Sequence, residues 1–120
     1  MAVYRNIALS FWTDRKIDEE FTPEDKYFYL YLLSNPHTNI CGCYEITLKQ
    51  MSNETGYTES KIKHLLEKLE KVHNVIRYDK STKEIFIINF SKYNWSSSEK
   101  FKKAVFRVGE KIKSPTFKNY

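Results

Sequence analysis

The sequence predicts an α+β domain of the winged helix-turn-helix type, with a three-helix core, a short strand and a β-hairpin wing. An N-terminal arm precedes this unit and an extra amphipathic C-terminal helix follows it. Three observations carry the prediction. Residues 47–74 (TLKQMSNETGYTESKIKHLLEKLEKVHN) read as two helices around a glycine-containing turn. Thr22-Pro23-Glu24-Asp25 is a helix start followed by a nearly all-apolar run. Two β-rich runs, 75–78 and 84–90, flank a polar loop.

In chain order, Val3, Tyr4, Ile7, Leu9, Phe11 and Trp12 show no clean period and predict an extended arm or short strand ending in an aromatic anchor. Phe11 and Trp12 are large enough to require cover, from the core or from a second copy, and are the candidate self-association residues. Thr13 or Asp14 caps a short helix through Glu20, and Phe21 plugs it into the core. The next helix has Thr22 as cap, Pro23 at its first position and acids in its first turn. It is apolar on almost every side through Leu33, as a central buried helix should be, and Pro36 stops it. Residues 41–46 (CGCYEI) read as a short strand.

The first helix of the pair carries Leu48 and Met51 as its apolar residues, and Glu54-Thr55-Gly56-Tyr57 breaks it. Gly56 supplies a left-handed residue at its end, and Thr58 caps the second helix. Ile62, Leu65, Leu66 and Leu69 then make one apolar stripe at helical period. Asp79, Lys80, Ser81, Thr82 and Lys83 form the tip of the hairpin, either a wing that reaches a nucleic-acid backbone or an ordinary solvated loop. The domain is expected to span residues 1–95, with Trp95 folding back on it. Residues 96–120 are expected to be a linker, a basic amphipathic helix over 99–113 and a frayed tail. That helix has three readings: an added core helix, a self-association face, or a basic surface helix.

The 120 residues suffice for one domain with a real core. An aromatic content of 16% argues against disorder for the bulk of the chain. No apolar run reaches the length of a membrane span and no signal-peptide region is evident, so the expected location is cytoplasmic. Net charge is +5 but uneven: −3 over residues 1–46, +3 over 47–83, −1 over 84–90 and +6 over 91–120. A polyanion is the partner such an asymmetry favours, although lysine-rich faces also serve as plain solvated surface.

Catalytic patterns are missing. The three glycines do not recur at phosphate-loop spacing, and no His-Glu-x-x-His or nucleophile-elbow motif is present, so an enzyme is not expected. Cys41 and Cys43 are too few for a zinc site and too close to staple a fold, so they read as reduced thiols, with no metal and no cofactor.

The blocks SFWTD (10–14), TPEDKYFYLYLLSNPHTN (22–39), CGCYEI (41–46), the Glu54-Thr55-Gly56 turn and IINFSKYNW (87–95) together carry a resemblance. The chain resembles the N-terminal winged-helix domain of phage replisome organisers, related to the DnaD-type primosomal proteins of Gram-positive bacteria. The resemblance implies a winged helix that acts in replication initiation through origin binding, helicase loading, self-association into a homo-oligomer, or a combination of these. Such proteins usually continue into a helical C-terminal domain that contacts DNA and helicase-loading proteins. Residues 1–120 do not include it, and activities that depend on it are not expected of this stretch.

Two functions compete, with a winged-helix transcriptional regulator as a further alternative. In the first, the chain binds double-stranded or single-stranded DNA. Lys61 and Lys63 would contact phosphates, Ser60 or His64 a base edge, and Lys68 the flanking backbone. Lys80 and Lys83 would add wing contacts and Lys49 one from the preceding helix. The shortage of arginine outside Arg5, Arg15, Arg77 and Arg107 favours backbone-led binding. In the second, the domain is an oligomerisation scaffold of the primosome. Glu59 and Glu67 favour that reading because they repel phosphate.

Overall fold

The computed structural model describes residues 5–39, 41–88, 90 and 112–114. Within them lie α1 (Ser10–Thr13), α2 (Arg15–Glu20), α3 (Pro23–Ser34), β1 (Cys43–Glu45), α4 (Leu48–Thr55), α5 (Glu59–Glu67), β2 (Ile76–Asp79) and β3 (Glu84–Ile87). This is an α+β fold with a three-stranded antiparallel sheet in the order β1-β3-β2.

Four of these helices start where a side chain accepts a free backbone N–H. Asp14 accepts from Lys16 and Ile17 at the start of α2. Thr22 with Asp25, and Thr47 with Gln50, form reciprocal capping boxes on α3 and α4. Thr58 accepts from Lys61 on α5. The last turn of α5 widens into a π-helical turn, Lys68–Val72, and Asn74 then takes a left-handed conformation (φ 57°) that ends it.

The apolar stripe of α5 is buried as expected. Ile62, Leu65, Leu66 and Leu69 pack with Phe28, Leu32 and Leu33 of α3, Met51 of α4, and Ile76, Ile85 and Ile87 of the sheet in one core. The arm departs from expectation. Residues 5–8 lack regular structure, and the chain then makes the helical turn α1, which drives Phe11 fully into the core beside Tyr29 (ring centroids 5.8 Å apart). The expectations for Trp95, and for a helix over 99–113, fall outside the described residues, except that Ile112 and Lys113 are not helical.

Two glycines adopt positive φ for different reasons. Gly56 (φ 87°) ends α4 with open space around it, so only the backbone conformation demands glycine. Gly42 (φ 78°) also faces Phe90, whose Cβ and Cγ would lie 2.5 Å from an added Cβ. Gly56→Ala is therefore expected to cost about 1 kcal/mol. Gly42→Ala is expected to cost about 3 kcal/mol, since strain and overpacking add. Urea unfolding of the two variants checks this, and equal losses would sink the role given to Phe90.

Candidate nucleic-acid interface

Helix α5 shows three sides. Its core side is the apolar stripe. Its outer side carries Ser60, Lys63 and His64, all exposed. Its third side faces α3 and holds Lys61 and Lys68, seven residues apart and so on one line of the helix.

Those two lysines are occupied. The ammonium of Lys61 lies 2.5 Å from Glu24 in the first turn of α3, and this hydrogen bond raises the lysine pKa. Lys68 lies 3.0 Å from Asp25 Oδ2 and is largely covered. The same oxygen accepts the Thr22 N–H and faces His73 Nε2, each at 3.0 Å. Asp25 is fully buried and His73 is 3% exposed, with the Phe21 ring 4.2 Å from the imidazole. Lys16 donates to the His73 carbonyl. Burial pushes the Asp25 carboxyl up, but the Thr22 amide, Lys68 and His73 more than offset it, so the group titrates below its ordinary value. This cluster clamps the far end of α5 to the start of α3.

On the other flank of α5 a groove of about 660 Å³ runs between the start of α4, the α5 helix with its π turn, and the β2–β3 hairpin. Its floor includes Leu48, Leu66 and Tyr78. Five lysines line it, Lys49, Lys63, Lys71, Lys80 and Lys83, against three glutamates, Glu59, Glu67 and Glu70. Lys71 pairs with Glu67 at 3.2 Å, but both are well exposed, so the pair is weak. The hairpin turn is organised by Asp79, whose Oδ1 accepts from the Ser81 amide and hydroxyl and from the Thr82 amide. Lys83 takes a left-handed conformation (φ 58°) at the end of that turn.

Of the eight residues expected to touch DNA, Lys49, Lys63, Lys80 and Lys83 therefore converge on one groove. Ser60 and His64 stand beside it on the outer side of α5, and Lys61 and Lys68 turn away toward α3. Sequence reasoning missed Lys71 and Tyr78 as groove residues. It also missed the role of Asp25, for which the acids in the Thr22-Pro23-Glu24-Asp25 start were a signal. The two candidate self-association residues part company. Phe11 is core, whereas Trp12, edge-on to it at 5.1 Å, is 56% exposed next to Leu9 at 86%.

Cys41 lies in a hydrogen-bonded loop and Cys43 begins β1. Cys41 Sγ donates to Asn39 Oδ1 at 3.2 Å, and burial pushes the Cys43 thiol up to about 12, so it stays protonated and unreactive. Among the described residues there is no cluster of three or more His, Cys, Asp or Glu side chains that could hold a metal ion. Nor is any helix among them long and apolar enough to cross a membrane. Comparison with protein-family models, with curated proteins and with solved structures finds no match.

Proposed function

We propose that this chain is the DNA-binding winged-helix module of a phage or prophage replication-initiation protein of the replisome-organiser kind. In this reading α5 is the recognition helix and the β2–β3 hairpin is the wing. The observation that carries the DNA contact is the convergence of Lys49, Lys63, Lys80 and Lys83 on one groove beside the exposed Ser60 and His64. Cations from three separate segments of the chain on one surface are what a phosphate backbone requires, and short polar groups next to them suit a base edge. The replication role, with origin binding and helicase loading, rests on the sequence resemblance.

Binding of a random duplex, followed by fluorescence anisotropy over a salt series, tests the reading. Each phosphate neutralised contributes about 0.9 to the log–log salt slope, so four groove lysines give a slope of about −3 to −4 with micromolar affinity at low salt. A slope near zero overturns it.

A second reading has its own observation. Trp12 and Leu9 are exposed together on the N-terminal arm, and Glu59, Glu67 and Glu70 line the groove, so the domain also suits an oligomerisation scaffold. Sedimentation of the wild type and of Trp12→Ala separates the two. Loss of a dimer in the variant, together with absent duplex binding by both proteins, favours the scaffold.

A further inference from the structure

The three strands carry carboxylates at one level. Glu45 on β1 pairs with Glu84 on β3, and Glu84 pairs with Asp79 on β2. Residues directly opposite in an antiparallel pair project from the same face, and like charges there destabilise the sheet. The central member, Glu84, is only 4% exposed. Burying a carboxylate between two others is costly unless each finds a partner.

Lys113 and Ser114 supply partners for all three. The two Glu84 oxygens accept the backbone N–H of Lys113 at 2.9 Å and of Ser114 at 2.6 Å. The Lys113 ammonium lies 3.0 Å from Glu45 Oε2. The Ser114 side chain bonds Asp79, and Ser114 is itself fully buried. Hydrogen bonds from Ser81, Ser114 and Thr82 lower the Asp79 carboxyl to about 2, so it stays ionised. Asp79 is thus shared: one set of its bonds orders the turn that bears Lys80 and Lys83, and another reaches the C-terminal segment.

We propose that residues 112–114 are a strap that positions the hairpin turn and its two lysines by neutralising the Glu45–Glu84–Asp79 rung. The strap acts through Asp79 on the turn and through Glu84 on the foot of β3. Without it, three adjacent carboxylates repel one another beside the lysines and oppose an approaching phosphate. The strap's hold on Glu84 and Glu45 stands on two backbone hydrogen bonds and an ion pair. Its effect on affinity rests on the DNA-binding reading above.

Ser114→Pro in the full chain removes the N–H given to Glu84 and the hydroxyl given to Asp79 without changing net charge. Hydrogen exchange of the Ser81 and Thr82 amides is expected to rise about tenfold, while the Ile62 and Leu65 amides of α5 keep their protection. Duplex affinity is expected to fall about fivefold, with a salt slope smaller by about one contact. Ser114→Thr, which keeps both donors, is expected to match the wild type in both measurements. Should Ser114→Pro expose α5 as well, Glu84→Gln decides. Simple electrostatics expects tighter DNA binding when an acid is removed, whereas a broken strap weakens binding and speeds exchange at Ser81 and Thr82. Unchanged exchange at these amides overturns the strap. If the wild type shows no salt-dependent binding, the DNA reading fails while the exchange result still judges the strap.

Discussion

Asp25→Ala is expected to lower the thermal midpoint by about 10 °C. The variant leaves the Lys68 ammonium and the buried His73 imidazole without the carboxylate they share, and removes the reciprocal cap of α3. Breaking one member of a buried charged network typically costs 3–5 kcal/mol; with Lys68 part exposed, about 3 kcal/mol is reasonable here. Asp25→Asn keeps the size and one acceptor and is expected to lose about half as much.

The pH dependence has a definite sign. The carboxyl is depressed in the folded protein, because the Thr22, Lys68 and His73 bonds outweigh burial. The unfolded chain therefore binds the proton more readily. The stability from Asp25 is present in full above the ordinary carboxyl pKa of about 3.9 and is lost as pH falls through the lower folded value. The gap between wild type and Asp25→Ala is expected to shrink as pH falls below about 4. Calorimetric midpoints over that range check it. A gap that widens as pH falls from about 4 would mean that Asp25 is not held as a carboxylate.

The second large effect is on binding. Lys63→Glu, Lys80→Glu and Lys83→Glu combined reverse three charges that face one groove from α5 and the hairpin. Duplex affinity at low salt is expected to fall on the order of 100-fold or more, with the salt slope reduced by about three contacts. Stability should change little, since all three side chains are exposed. For a comparison at equal net charge, the single reversal Lys63→Glu is set against Lys61→Glu, which faces Glu24 on the α3 side. Its affinity loss is expected to be several-fold smaller, because its charge is already spent on a carboxylate. Equal losses in the two proteins would mean that binding follows net charge and that the groove has no special part in it.

What the sequence by itself determined is local. Asp14, Thr22 and Thr58 were readable as caps because each bonds an amide two or three residues away. The α5 stripe was readable because helical period alone places Ile62, Leu65, Leu66 and Leu69 on one side. The hairpin followed from two β-rich runs around a polar turn. Tertiary structure decided the matters that need a partner distant in sequence. Both edges of the α5 stripe are polar, and only the docking of α3 reveals that Lys61 and Lys68 meet Glu24 and Asp25 while Lys63 faces the groove. Phe11 and Trp12 look equivalent in a string of letters, but successive residues on a helical turn point about 100° apart, so one is buried and its neighbour is not. The acidic rung exists only because strand register aligns Glu45, Glu84 and Asp79, and its relief comes from a backbone about 30 residues further along the chain. Local rules choose the elements; the pairing of charges across them is set by packing.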